Sequence, residues 1–201
     1  MLAVVELLRK RLEVEALDGI LVNSSINRRY ITGFTGSAGV VWISEKRKML
    51  LVDFRYTEQA QEQAKGFEII TYDAGQQEAE IKRVIQEDSA SKVGVESEHI
   101  SIGQWQRWKD ALGLDLVPIK GWVEELRAIK SSWEIEAIRK AADITDQGFV
   151  QLLSKIRSGI SEIDLALELE FIMRRLGASG VSFSPIIASG PRSALPHARP
   201  S

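Results

Sequence analysis

The sequence predicts an α/β domain followed by part of a second, differently built domain. Short apolar and β-branched runs alternate with helical patterns as far as Glu125, and two long helical patterns then follow each other with a single further strand candidate. Alternation of the first kind is typical of α/β proteins. We therefore predict a first domain over residues 1–125 and an incomplete second domain over residues 126–201.

The first domain is predicted to open with a helix and then to alternate strands with helices. Val4, Val5, Leu8 and Leu12 recur at helical spacing, and Gly19 introduces an apolar run of strand type. The strand candidates lie at residues 20–22, 39–44, 49–52, 67–72, 93–95 and 114–117. Between several of them lie amphipathic helical patterns, among them one over residues 81–85 and one over residues 102–112 behind Ser101 as its N-cap.

Two helices are predicted at the start of the second domain. Ser131 and Glu134 form a capping-box signature, and an apolar stripe then runs from Ile135 to Ile156. Ser161 is positioned to cap a second amphipathic helix, and one strand is predicted over residues 181–187. Because two long amphipathic helices and one strand cannot bury both apolar stripes, we expect this domain to be incomplete.

Composition excludes several classes of function. The formal net charge of the 201 residues is −2 with both signs interspersed, which disfavours a nucleic-acid surface. The absence of cysteine excludes disulfides and thiolate chemistry. Glu6 and a basic cluster interrupt the amino-terminal apolar stretch, and no apolar run approaches the roughly 20 residues of a transmembrane helix. We therefore expect a cytoplasmic protein without nucleic-acid or membrane partners.

Local motifs do not predict a complete catalytic site. The glycine-rich residues 33–39 lead into the strand at Val40 instead of a helix, which favours a tight turn over a phosphate-binding loop. No G-x-S-x-G elbow of a serine hydrolase is present. The two histidines, His99 and His197, have no partner at the i+4 spacing of a helical zinc site. We interpret His99 as a solvated loop histidine, and we predict no metal ligand in the chain.

Three segments are more distinctive. They are Asn27–Gly39 with Val52–Tyr56, Arg127–Ser131 before Glu134, and Ser182–Gly190 with Leu195–Ser201. Together they resemble Xaa-Pro aminopeptidases and prolidases. The resemblance implies a creatinase-like α/β domain with a mixed sheet at the amino terminus, followed by the first part of an α+β pita-bread peptidase domain.

The resemblance also implies an activity, which is hydrolysis of the Xaa-Pro bond at the amino terminus of peptides or in dipeptides. Members of the family bind two divalent metals, often manganese, through aspartate, histidine and glutamate ligands downstream of the segment that matches Leu195–His197. We therefore expect this chain alone to bind none of these metals and to be inactive. A homodimer is expected as well, because family members tend to form one.

Two residues match functional positions of the family. His197 matches an active-site histidine that is not a metal ligand and that stabilises or protonates the tetrahedral intermediate. Phe183 matches a position near the substrate pocket, where an aromatic wall suits a proline ring, although an aromatic residue in a strand is more often part of the core. We predict His197 as a catalytic residue and Phe183 as a substrate-binding residue.

A second interpretation stays open. Related pita-bread proteins without metal ligands exist as interaction domains, and an uncovered apolar helix face would suit a protein partner. The chain would then be a noncatalytic binding module. Downstream aspartate, histidine and glutamate ligands would favour the peptidase over this alternative.

Overall fold

The structure, a computed structural model, describes residues 2–201 and the side chains of residues 3–201. The chain forms two compact units, of which the first ends at Ile129 and the second spans Lys130–Ser201. Glu125, near which the sequence predicts the domain boundary, lies within the last helix of the first unit.

A mixed six-stranded sheet organises the first unit. Its strands, in chain order, are β1 (Gly19–Val22), β2 (Val40–Ser44), β3 (Lys48–Asp53), β4 (Glu68–Tyr72), β5 (Lys92–Glu96) and β6 (Asp115–Ile119). The spatial order is β4-β3-β2-β1-β5-β6. The β1–β2 and β2–β3 pairs are antiparallel and the other three pairs are parallel. All six strands predicted for this region are confirmed.

Six helices accompany this sheet among the described residues. They are α1 (Leu2–Val14), α2 (Ser25–Thr32), α3 (Thr57–Gln63), α4 (Gln77–Glu87), α5 (Ile102–Leu112) and α6 (Trp122–Ala128). Ser101 caps α5 as predicted, because its side chain accepts a hydrogen bond from the backbone N–H of Gln104. Asp53 likewise caps a short 3₁₀ helix, Phe54–Tyr56, by accepting from the backbone N–H of Arg55.

Apolar side chains of the sheet are buried on both of its faces. Ile20 and Val22 join a core that includes Val5 of α1, whereas Leu21 joins a second core that includes Ile81 of α4. This division follows from the alternation of side chains along a strand. Helices therefore cover the sheet on each side, which is the α/β arrangement that the sequence predicts.

The glycine-rich residues 33–39 form a turn into β2, as predicted. Gly33 has φ 80° at the end of α2 and Gly39 has φ 146°, conformations that favour glycine. The buried guanidinium of Arg28 donates to the backbone oxygens of Gly36 and Gly39, each at 2.7 Å. The glycines thus give the loop the shape that brings its carbonyl groups to this cation.

The second unit is built on two helices, α7 (Ser132–Leu153) and α8 (Glu162–Arg175). The predicted capping box of Ser131 and Glu134 is present at α7, and Ser161 caps α8 through the backbone N–H of Asp164. The two helices approach closely at Gly148, where an added Cβ would lie 3.0 Å from Cγ of Met173. Neither these helices nor any other helix among the described residues is both long and apolar enough for a membrane span.

Much of the apolar surface of these two helices is uncovered. Leu152 is buried, whereas Phe149 is 57% exposed and Ile138 is 58% exposed. We call the exposed apolar residues of α7, α8 and the turn between them the apolar surface of the second unit; they are Trp133, Ile135, Ile138, Phe149, Val150, Leu153, Ile156, Ile163, Leu167 and Phe171.

The strand predicted over residues 181–187 is wrong for the described chain. This segment has no regular secondary structure, and the only helical turn after it is a 3₁₀ helix, Gly190–Ala194. A strand is stabilised by hydrogen bonds to a neighbouring strand. The described residues of the second unit contain no strand with which residues 181–187 could pair.

Gly19 tests how tightly the sheet is packed. An added Cβ at this position would lie 2.2 Å from the ring of fully buried Trp42. We expect Gly19→Ala to lower the free energy of unfolding by about 1–3 kcal/mol, the usual cost of overpacking. Gly103→Ala in α5 is the control, because its Cβ would meet only Arg107, at 3.7 Å. Urea denaturation measures both, and a Gly19→Ala variant as stable as the parent would contradict the packing described.

Candidate functional site

His197 lies near the end of the second unit, in the irregular segment that follows the 3₁₀ helix. Its exposed side chain lines an open pocket of about 470 Å³ together with Ser184, Pro185, Ile186 and the residues Ala198–Pro200. No side-chain hydrogen bond holds the imidazole among the residues that the structure describes. The location of the ring therefore depends on the backbone that carries it.

Phe183 lies next to this pocket in sequence but does not line it. Its side chain is 70% exposed. Phe183 is therefore not a core residue of the described chain, although an aromatic residue in a predicted strand is more often part of the core. The structure brings His197 together with residues 184–186, and a role for Phe183 in substrate binding stays a prediction.

Glu162, the first residue of α8, is the most heavily hydrogen-bonded side chain near His197. One carboxylate oxygen accepts from the backbone N–H of Ser189 at 2.7 Å and from its hydroxyl at 3.0 Å. The other accepts from Nε of Arg192 at 3.1 Å, and from the backbone N–H and the hydroxyl of Ser201 at 3.2 and 3.0 Å. The side chain is buried.

These bonds favour the charged form of Glu162. The backbone N–H of Ser189 is the largest influence, and together with the hydroxyl of Ser189 and both donors of Ser201 it outweighs the opposing effect of desolvation. The pKa of Glu162 is lowered to about 2. A carboxylate that accepts several N–H and O–H bonds is expected to behave in this way.

A second polar network lies in the first unit and was not predicted. Oε2 of Glu96, at the end of β5, accepts from the backbone N–H groups of Asn23 and Ser24 at 2.8 and 2.9 Å. The amide of Asn27 donates to Oε1 of Glu96 at 2.6 Å and to Glu124 of α6 at 2.5 Å. The network therefore joins the loop after β1 to β5 and to α6.

His99 belongs to the same network. Its Nε2 lies 2.7 Å from Oε1 of Glu124, so the interpretation of His99 as a freely solvated histidine is incomplete. Burial would raise the pKa of Glu124, but hydrogen bonds from Asn27 and His99 outweigh it and the pKa is below its usual value. Glu124 is separated along the sequence from Asn27 by 97 positions and from His99 by 25. No local sequence pattern could have predicted contacts between residues this far apart.

One group of side chains in the described chain has the spacing of a metal centre. Glu96, His99 and Glu124 place one ligand atom each within 4.8 Å of one another, and no second group of three such residues occurs in the described chain. Hydrogen bonds from Asn27 already occupy Oε1 of both carboxylates. In the second unit, the described residues around His197 do not provide the two-metal ligand set that the family resemblance implies.

The matches to known families follow the division of the fold. Residues 5–129 match the Creatinase/Prolidase N-terminal domain. The chain belongs to this family. Residues 136–201 match part of Metallopeptidase family M24, so a creatinase-type domain is followed here by the start of a peptidase domain.

Individual relatives agree with this assignment. An uncharacterized peptidase of Bacillus subtilis, YqhT, is 44% identical over 182 residues, which are 90% of this chain and 51% of the relative. The solved Xaa-Pro dipeptidase from Bacillus anthracis is 43% identical with a TM-score of 0.94, covering 100% of this chain and 56% of that one. The chain therefore spans about half the length of these relatives.

A third relative matches a smaller part of the chain. The solved N-terminal domain of the cytoplasmic peptidase PepQ from Mycobacterium tuberculosis is 29% identical with a TM-score of 0.57. The match covers 62% of this chain and 98% of that domain. An α/β unit of this type therefore exists as a solved structure by itself.

Substitution of Glu96 tests the network of the first unit. Glu96→Ala would leave two backbone N–H groups without their acceptor and would remove one of the two hydrogen bonds that the Asn27 amide donates, the other being to Glu124. Because unsatisfied buried donors are costly, we expect the free energy of unfolding to fall by about 3 kcal/mol. Glu98→Ala is the matched control, since Glu98 is exposed and pairs only with exposed Lys120. Equal stability of the two variants in urea denaturation would refute this role.

Acid titration tests the environment of Glu162. Because its pKa falls from 4.5 to about 2 in the folded chain, its contribution to stability is complete above pH 4.5 and is lost as the pH falls towards 2. We expect the Glu162 carboxyl carbon to titrate in NMR spectra with a midpoint near 2. A midpoint at the ordinary value of 4.5, in chain that is still folded, would show that these hydrogen bonds are absent.

Proposed function

We propose that this chain is the N-terminal portion of an Xaa-Pro metallopeptidase that hydrolyses the Xaa-Pro bond of dipeptides or at the amino terminus of longer peptides. The observation that carries this proposal is the match of residues 136–201 to Metallopeptidase family M24 directly after a creatinase-type domain. The similarity of the whole chain to the Xaa-Pro dipeptidase from Bacillus anthracis supports the substrate class.

The apolar surface of the second unit supports the same proposal. Phe149, Leu153 and Phe171 are each at least half exposed, although phenylalanine and leucine are among the residue types most often buried in folded proteins. The relatives continue well beyond the part that this chain matches. We infer that the remainder of the peptidase domain covers this surface in the complete enzyme.

In the proposed enzyme, His197 acts on the substrate from the pocket that it lines. Its exposed imidazole can donate a hydrogen bond to the oxygen that becomes negatively charged when the peptide carbonyl is attacked, or protonate the leaving group. Phe183, exposed beside this pocket, is proposed as part of the wall against the proline ring.

The metals are proposed to be held by residues outside this chain. No group of three potential ligands occurs in the described residues of the second unit, and no step of the reaction is assigned to a metal through residues present here. We propose two divalent manganese ions for the complete enzyme, together with a homodimeric state. A cytoplasmic location is proposed on the basis of composition and of the relative PepQ, which is described as cytoplasmic.

One observation favours a second candidate function. The apolar surface of the second unit would also suit a protein partner of a noncatalytic binding module. This alternative predicts a stable complex without peptidase activity. Reconstitution of activity separates the two candidates.

The proposed function is tested by reconstituting the peptidase domain. The 201-residue chain alone is expected to show no hydrolysis of an Xaa-Pro dipeptide in the presence of Mn²⁺. Mixing it with the part of the Bacillus anthracis dipeptidase that the chain does not match should produce a complex that hydrolyses this substrate. Size-exclusion chromatography and release of free proline measure assembly and activity.

His197→Ala provides the control for this experiment. Because the side chain is exposed and not part of a core, the variant should assemble as well as the parent, while its rate should fall about 100-fold or more. If the parent chain forms the complex but the complex does not hydrolyse the substrate, the proposed peptidase function is overturned and the binding module is favoured. Full activity of the 201-residue chain alone would also overturn the proposal.

A further inference from the structure

We propose that Glu162 is a positioning residue that fixes the segment Ser189–Ser201, and thereby His197, at the pocket. The importance of this position for hydrolysis rests on the proposed function. The arrangement of the segment itself is a property of the second unit and can be tested independently.

Glu162 lies at the start of a regular helix. It is the first residue of α8 and follows the N-cap Ser161, whose hydroxyl accepts from the backbone N–H of Asp164. A carboxylate at the amino-terminal end of a helix is stabilised by the helix dipole. Glu162 therefore extends from a regular, capped element, which makes it a suitable fixed point for a neighbouring irregular segment.

Glu162 binds the segment on both sides of His197. Ser189 and Arg192 precede His197 and Ser201 follows it, and all three donate to the Glu162 carboxylate. A backbone bond from Ile163 N–H to the oxygen of Ser201 lies beside these contacts at 3.3 Å. Both flanks of the histidine are thus attached to the same turn of α8.

The segment Ser189–Ser201 is also shaped by its own contacts, since Ala198 is buried and its backbone N–H donates to the backbone oxygen of Leu195 at 3.2 Å. It contains a single 3₁₀ turn and no strand, so no sheet hydrogen bonds fix its course. A further internal bond runs from Nη2 of Arg192 to the backbone oxygen of Arg199 at 2.6 Å, which makes the guanidinium a second link across the segment. Since Arg192 also binds Glu162, loss of the carboxylate removes the anchor of this link.

Glu162 is a buried carboxylate whose charge requires hydrogen-bond donors. The side chain of Glu162 is 7% exposed, and its ion-pair partner Arg192 is 43% exposed. Buried carboxylates require hydrogen-bond donors, and most of those around Glu162 come from Ser189 and Ser201. Replacement by an uncharged side chain would weaken every one of these bonds at once.

NMR of the 201-residue chain tests the proposal without a peptidase assay. In Glu162→Gln, the amide protons of Ser189 and Ser201 should exchange with solvent about tenfold faster or more, because bonds to a charged acceptor are replaced by weaker ones. The ring signals of His197 should move to those of a histidine in an unstructured peptide. His99, which lies in the first unit, is the internal reference and should keep its signals.

Two further variants complete this experiment. Asp164→Asn is the matched control, since its carboxylate lies in the same helical turn and contacts Ser161 instead of the segment. Ser189→Ala removes the hydrogen bond that the Ser189 hydroxyl donates to Glu162. This variant should shift the His197 signals in the same direction by a smaller amount, and it provides a test if Glu162→Gln fails to fold. Unchanged His197 signals in folded Glu162→Gln, or in Ser189→Ala, would overturn the proposal.

The reconstituted enzyme gives a second, separate measurement. A positioning role predicts that Glu162→Gln lowers kcat about tenfold while KM changes less than about twofold, because misplacement of a catalytic group affects the reacting state more than substrate binding. An inactive parent complex would refute the proposed function and leave the NMR result on Glu162 valid. An active complex in which Glu162→Gln keeps the parent kcat would overturn the positioning role itself.

Discussion

The need of an amphipathic helix to cover its apolar face is the constraint on which the account of this protein depends. In the first unit a six-stranded sheet meets this need, since apolar residues of β1 alternate between a core under α1 and a core under α4. In the second unit α7 and α8 cover each other only in part, and Phe149 and Phe171 stay exposed. We propose that the remainder of a peptidase domain covers these side chains, because residues 136–201 match Metallopeptidase family M24.

Buried carboxylates perform the same task in both units. Glu96 accepts backbone N–H groups from the loop after β1, and Glu162 accepts those of Ser189 and Ser201. In each case an anion at the end of a regular element satisfies donors of an irregular segment, where no strand or helix could do so. A buried carboxylate therefore contributes to the order of both irregular segments.

Much of the fold could be predicted because its signals are local. The strands of the first unit follow from short apolar runs, and the caps Ser101, Ser131 and Ser161 follow from residue type and spacing. The strand over residues 181–187 could not be judged in this way, because a strand also depends on a neighbour that sequence periodicity does not supply.

Less of the candidate site than of the fold could be predicted from the sequence. His197 was found through resemblance to a family, since an isolated histidine in an irregular segment carries no pattern of its own. The contacts of Glu162 connect it to residues 27 and 39 positions away, and those of Asn27 reach 69 and 97 positions along the chain. Only the folded structure brings such distant groups together.

The intact mass of the protein in its native cells tests the central claim most directly. The 201 residues have a mass of 22.4 kDa and match about half of the relatives described. We expect a native mass close to twice this value, with the peptidase domain completed on the same chain. A native mass of 22.4 kDa would contradict it and would favour a binding module whose apolar surface is covered by a separate partner.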